Sequence, residues 1–314
     1  MKLITCLNIF IGGLLLAAVI LLSGCSNDDG TAAADDGAIR FKTDVWQVME
    51  GTRATTYDTP AAIQAEGSFT CTAYNKGTTE INSTSEVNNE TVIWNSTSWA
   101  FEDGTHKWPT EGALDFFAYM PAAQPAYITD ITYAVDGTTP KPYFTCDMTQ
   151  AVAKEFIYAL ALDHDKAGSN STAQPTPGQV ALTFQHPFAR IYFQLSSASG
   201  TAVTINSITI SGEDFYKTGK CTFDGTTSTW SSKGGASSLG ALAINTPYIV
   251  IPNDYGSSKT ITVEAEWNDW SKVTKTITSS PLSINWQTGY SYTYTLTLTK
   301  YTLEVDTSKY TEQW

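Results

Sequence analysis

Apolar and polar residues alternate with a period of two over much of this chain, and sustained three-four apolar spacing is scarce. The clearest run is Tyr290-Ser291-Tyr292-Thr293-Tyr294-Thr295-Leu296-Thr297-Leu298-Thr299, with Tyr290, Tyr292, Tyr294, Leu296 and Leu298 on one side and Ser or Thr on the other. A strand points successive side chains to opposite faces, so the run predicts one buried and one wetted face. Ile191, Phe193 and Leu195 repeat the pattern, as do Ile261, Val263, Ala265 and Trp267 against Thr262, Glu264 and Glu266. Val203 and Ile205 are out of phase with Ile208 and Ile210, which predicts a bulge or turn at Asn206-Ser207. Earlier strands are expected near residues 68–74, 91–101, 113–119, 127–135, 142–146 and 155–162. Helical turns are expected only at 61–66 and 148–154.

Residues 166–178 lack alternation and are rich in turn formers, so the chain is divided there. Many short strands with turns between them argue for an all-β protein: two antiparallel β-sandwich domains in tandem, 54–175 and 176–314, with few short helices.

The N-terminus follows other rules. Lys2 precedes an apolar run over 9–22 that is too short for a spanning helix of ~20 residues but suits a secretory signal. Leu22-Ser23-Gly24-Cys25 then resembles the lipobox of bacterial lipoproteins, which makes 1–24 a signal peptide and Cys25 the lipid attachment site. The acidic tether Ser26-Asn27-Asp28-Asp29 resembles the tag that directs such lipoproteins to the outer face of the outer membrane. Loss of 1–24 removes one charged residue, Lys2, and takes the net charge from −13 to −14. That balance argues against nucleic-acid partners, which need clustered Lys and Arg. Of the five cysteines, Cys71, Cys146 and Cys221 remain, enough for at most one bridge. Each lies in a strand-like run and reads as a small buried hydrophobe.

Catalytic chemistry finds no support. His106, His164 and His186 show no paired metal spacing, and Asp163-His164-Asp165 reads as a solvated turn, with a cation contact as the alternative. There is no G-x-S-x-G elbow, Walker loop or EF-hand, and Glu264 with Glu266 reads as the wet face of a strand. No catalytic residue, metal ligand or cofactor is assigned. Trp94, Trp99, Trp108, Trp230, Trp267, Trp270 and Trp286 could stack on sugars, but large rings mostly fill cores.

Four segments resemble one family. Leu114-Asp115-Phe116-Phe117-Ala118-Tyr119-Met120-Pro121 is similar to the Leu-Asp-Phe-x-Ala-Tyr-x-Pro strand of Bacteroidetes fimbrillins. Leu182-Thr183-Phe184-Gln185-His186-Pro187-Phe188-Ala189-Arg190-Ile191 resembles the strand that opens their second domain, and Trp286-Gln287-Thr288-Gly289-Tyr290-Ser291-Tyr292 resembles a late strand. Thr52-Arg53-Ala54 resembles the Thr-Arg-Ala that follows their first strand. Behind a lipobox and in this order, the motifs identify the chain as similar to the fimbrillin, or Mfa-like, lipoproteins, which include type V pilus subunits.

The resemblance implies transthyretin-like sandwiches, a place in a cell-surface fimbrium, and an assembly route serving adhesion to host or bacterial surface ligands. An arginine-specific protease would cut between Arg53 and Ala54 and remove 25–53 with its lipid. The strand within 39–49 would leave, with Ile39, Phe41, Val45 and Val48 vacating a groove, although Trp46 disturbs the alternation. Another fimbrial subunit would fill that groove by β-augmentation. The donor would be 301–314, in which Tyr301, Leu303 and Val305 alternate with polar residues. The alternative is a lipid-anchored glycan-binding protein that does not polymerise.

Overall fold

The computed structural model describes residues 36–45, 57, 59–148, 155–168, 178–198, 203–212, 215–235, 238–268, 272–306 and 312–313. Residues Gly37–Trp314 gather into one unit; the preceding unit, Met1–Asp36, lies outside the described residues apart from Asp36.

The first strands are β1 (Arg40–Val45), β2 (Ser68–Asn75), β3 (Glu90–Trp94), β4 (Trp99–Phe101) and β5 (Leu114–Met120). There follow β6 (Ile128–Thr132), β7 (Val135–Asp136), β8 (Thr139–Pro140), β9 (Tyr143–Asp147), β10 (Ile157–His164) and β11 (Gln179–Phe184). The later set begins with β12 (Ala189–Ala198), β13 (Val203–Ser211), β14 (Thr218–Phe223), β15 (Ser228–Gly234), β16 (Leu239–Leu242) and β17 (Pro247–Val250). It ends with β18 (Asn253–Trp267), β19 (Val273–Thr278), β20 (Leu282–Trp286), β21 (Tyr290–Leu298), β22 (Leu303–Asp306) and β23 (Glu312–Gln313). A single helix among the described residues, α1 (Pro60–Glu66), matches the expected turn at 61–66. Thr59 Oγ1 accepts from the Ala62 amide at 3.1 Å, Pro60 opens the first turn, and Gly67 at φ 84° closes the helix in a left-handed conformation that costs glycine little. The other expected turn, 148–154, lies outside the described residues apart from Met148.

The all-β expectation holds. A seven-stranded sheet runs in the order β10-β5-β2-β3-β4-β1-β11. Its two ends meet where Tyr158 and Gln185 exchange backbone hydrogen bonds of 3.3 and 2.8 Å, so the sheet curls into a barrel-like body. Ile39, Phe41, Phe69, Phe101, Phe116 and Phe184 help fill its interior. A four-stranded sheet, β15-β14-β9-β6, covers one outer face. Phe117, Phe144, Phe156, Tyr158 and Phe223 pack in that second core, with the Tyr158 and Phe223 rings stacked at 3.7 Å. Strand β5 is therefore buried on both faces, Leu114 and Phe116 inward and Phe117 outward, which is why its sequence is a continuous apolar run. Asp115, buried within that run, is satisfied by the Gly77 amide at 2.7 Å, the Asp163 amide at 2.9 Å and the Tyr133 hydroxyl at 3.4 Å.

The later strands form a sandwich. One sheet orders β17-β12-β21-β22 and the other β16-β13-β18-β19, with β23 and β20 paired to β21 and β18. Between them lie Ile191, Phe193, Ile210, Phe215, Trp267 and Leu296. The expected phase break is a bulge: the β13–β18 register shifts between Ile205 and Ser207. Glu264 is exposed, as a wet face requires.

Three features differ from the pattern read along the chain. Two pairings are parallel, β1 with β11 and β12 with β21. The turn-rich 166–178 stretch connects β10 to β11, strands of one sheet, and β14 pairs with β9, so the strand sets do not divide at residue 175. Alternation in β21 slips at its start, where Ser291 is buried because its hydroxyl accepts from Arg190 Nε at 3.1 Å, while Tyr290 and Tyr292 are half-buried. Cys71, Cys146 and Cys221 are free and buried, and burial pushes all three thiols up, Cys146 to about 12.

Candidate functional site

Strand β1 sits inside the sheet rather than at its margin, hydrogen-bonded to β11 on one side and β4 on the other. Its register with β11 runs from Arg40 opposite Gln179 to Val45 opposite Phe184. On the other side Phe41 lies opposite Trp99. Burial alternates as a half-buried strand should: Ile39, Phe41 and Val45 point inward, while Arg40, Lys42 and Asp44 are exposed. Phe41 meets Phe69, Phe101 and Phe116 edge-on, with ring centroids 5.6, 5.3 and 6.0 Å away. Thr43, the remaining inward position, is half-buried and accepts a 2.9 Å hydrogen bond from Trp99 Nε1. Burying such Ile, Phe and Val side chains stabilises by ~1.5–3 kcal/mol each, so the three together contribute about 5–9 kcal/mol.

The entry to β1 is held by backbone. Ile39 N donates to the His106 carbonyl at 2.9 Å, Trp108 N to the Gly37 carbonyl at 2.9 Å, and Arg40 N to the Gly178 carbonyl at 3.1 Å. Gly178, at φ 74°, also takes a 3.3 Å hydrogen bond from Trp108 Nε1 on that carbonyl. The loop 103–108 is thus the clasp for the root of the first strand.

That clasp carries a cluster the sequence reading did not assemble. Glu90 at the start of β3, Asp103 after β4 and His106 place one ligand atom each within 4.8 Å of the others. His106 is 9% exposed. Its Nδ1 lies 2.9 Å from the Ser85 carbonyl and its Nε2 lies 3.0 Å from Asp103 Oδ1. Burial, and then the Asp103 charge beside it, raise the Glu90 carboxyl; the His106 hydrogen bond holds Asp103 below the usual carboxylate range. The available signal was Asp103-x-x-His106 alone, because Glu90 joins only through β3–β4 pairing.

The other histidines are structural. His164 was expected in a solvated turn, yet it is buried against Phe116 and makes a 2.8 Å contact through Nδ1 with the Leu162 carbonyl. The strand bulges between Ala161 and His164, which turns the ring inward. His186 Nδ1 pairs with Glu155 Oε1 at 3.0 Å, both side chains fully buried. Among the described residues no tryptophan is exposed; Trp99, Trp108, Trp267 and Trp286 are buried, and Trp94 and Trp230 half-buried.

Cys25, Val48, Arg53 and Ala54 lie outside the described residues. The expected donor segment is docked on its own sheet: β22 pairs antiparallel with β21, Leu303 opposite Leu298 and Val305 opposite Leu296. Leu303 is buried and Val305 half-buried, but Tyr301 is 82% exposed. Tyr301 therefore does not share their face. It occupies the tip of the β21–β22 turn, where Thr299 N donates to the Thr302 carbonyl at 2.9 Å, and its ring lies 4.3 Å from Lys275 Nζ.

The fimbrillin-like family profile matches residues 52–314. The chain belongs to the fimbrillin-like family. Among solved structures, a fimbrial protein from Bacteroides vulgatus is similar at 17% identity and a TM-score of 0.52, over 87% of this chain and 99% of that one. A proposed cell adhesion protein from Bacteroides uniformis is also 17% identical, with a TM-score of 0.52 over 87% of this chain and 97% of its own. At this identity the likeness concerns the fold. A comparison with curated proteins finds no match.

Proposed function

We propose that this protein is a structural, non-catalytic subunit of a cell-surface fimbrium, exported as a lipoprotein on Cys25 and assembled by strand exchange in the service of adhesion. An arginine-specific protease cuts after Arg53, frees the chain from the outer membrane and allows β1 to leave. The observation that carries this reading is the position of β1: an interior strand, near the N-terminal end, whose apolar side chains fill the barrel core.

Loss of β1 uncovers unpaired backbone groups on β4 and β11 and leaves pockets where Ile39, Phe41 and Val45 had been. Unpaired edges and vacated apolar pockets are what β-augmentation requires: backbone hydrogen bonds give affinity and alternate side chains fix register. The donor is the segment 301–314 of another subunit. Leu303 and Val305 rest on β21 beforehand and must be released from it. Membership of the fimbrillin-like family supports the same reading.

The test is the N-terminus of the assembled protein. Recovered from surface polymers, the chain should begin at Ala54 and carry no lipid, and Arg53→Ala should stop polymer formation while leaving the monomer folded. A lipidated Cys25 on a chain that stays monomeric would refute the proposal, and normal polymers from Arg53→Ala would refute the cleavage position.

A further inference from the structure

Glu90, Asp103 and His106 bring three metal-ligating side chains to one point. The Ser85 carbonyl can only accept, so His106 Nδ1 carries the hydrogen in their 2.9 Å contact, and Nε2, on the opposite side of the ring, is the nitrogen open to a metal. Nε2 faces Asp103 Oδ1 at 3.0 Å. Glu90 brings a second carboxylate into the same space. Among the described residues neither carboxylate forms an ion pair with a lysine or arginine.

The three side chains converge closely enough to admit a divalent ion. Ligands about 2.1 Å from a divalent transition metal sit about 3.0 Å apart at right angles and about 3.4 Å apart at the tetrahedral angle. His106 Nε2 and Asp103 Oδ1, 3.0 Å apart, need part by no more than a few tenths of an ångström to take one ion, and Glu90 is within 4.8 Å of both. The ring is already oriented by its outer hydrogen bond to Ser85, the arrangement by which metal-bound histidines are held. One imidazole nitrogen with two carboxylates suits a borderline ion such as Zn2+ better than Ca2+, which prefers six to eight oxygens.

We propose that Glu90, Asp103 and His106 bind one divalent transition-metal ion, with Zn2+ as the representative, and that the ion braces the loop holding the root of β1. Ile39 N donates to the backbone carbonyl of His106 itself, and Lys107 bridges to Ala38. Tying that loop to β3 fixes the carbonyl on which the first strand is hung. The binding site stands independently; its consequence for releasing β1 rests on the strand-exchange reading above.

The experiment uses metal-stripped, tag-free protein titrated with ZnCl2, and separately with CaCl2, by calorimetry, with hydrogen exchange followed at Ile39. The expected result is one Zn2+ per chain, Ca2+ binding at least tenfold weaker, and slower exchange of the Ile39 amide in the bound form. Glu90→Gln and Asp103→Asn keep the His106–Ser85 contact and the fold, and each should weaken Zn2+ binding at least tenfold. Absence of saturable binding, or affinity unchanged in both variants, overturns the site. Ca2+ binding as tight as Zn2+ overturns the metal class. Tight Zn2+ binding with unaltered Ile39 exchange overturns the link to β1 while leaving cleavage at Arg53 untouched.

Discussion

Phe41→Ala measures directly how much the body depends on its first strand. The ring is buried and touches three others edge-on, at centroid distances of 5.3–6.0 Å. Removing a buried Phe side chain costs about 3–5 kcal/mol through lost transfer energy and the cavity left behind. Four aromatic rings at one point leave little scope for collapse into the gap, so the upper part of that range is expected. Domains are stable by ~5–15 kcal/mol, so one side chain on β1 accounts for a large fraction of the whole. Lys42, the next residue, points to solvent, and Lys42→Ala should fall within about 0.5 kcal/mol of the parent. Urea unfolding followed by tryptophan fluorescence compares the three proteins, and Trp99 reports on the strand because its Nε1 donates to Thr43. With a slope of ~2–3 kcal/mol per molar urea, Phe41→Ala should lower the midpoint by about 1–2 M. A loss below about 1 kcal/mol, or equal losses for both variants, would show that β1 is not an integral part of the core.

Two further outcomes are expected. Burial holds the His164 pKa below its ordinary value of about 6.5, so the unfolded chain takes up a proton that the folded chain refuses. Stability from this residue is then complete above that pH and declines as pH falls through the window down to the lowered folded pKa. His164→Asn keeps a donor for the Leu162 carbonyl but cannot titrate, so unfolding midpoints between pH 7 and 5 should fall less steeply than in the parent; parallel profiles would remove His164 as the cause. Glu155→Ala leaves His186 buried without its carboxylate and should cost about 3–5 kcal/mol in the same unfolding assay, and a loss below about 1 kcal/mol would mean that the pair relaxes freely.

Alternation along single strands was readable in advance because it depends only on neighbours in sequence. It located β18 and β21, the bulge at Asn206, and the helical turn after Thr59. It located most of β1 as well, since Ile39, Phe41 and Val45 are inward. What it did not reveal depends on distant segments meeting. No local signal says that β11 lies parallel to β1, or that β14 joins β9 across 73 positions at Cys146 opposite Gly219, so a turn-rich stretch was read as a domain boundary. His164 looked like a turn residue from its acidic neighbours, and a bulge buried it. Tyr301 continued the period of Leu303 and Val305, but a tight turn falls between. Glu90 and His106 are 16 residues apart and become neighbours only through the β3–β4 hairpin and its following loop.

The two neighbours of β1 run in different directions: β11 alongside it, β4 against it. Hydrogen bonds are evenly spaced and slanted on the parallel side and alternately spaced on the antiparallel side. A replacement strand entering backwards would present the wrong pattern to both at once. The vacated slot therefore has a direction as well as a shape. Under the strand-exchange reading each subunit receives its neighbour's tail in one sense only, so contacts are heterologous rather than two-fold, and the two ends of an open polymer are unlike.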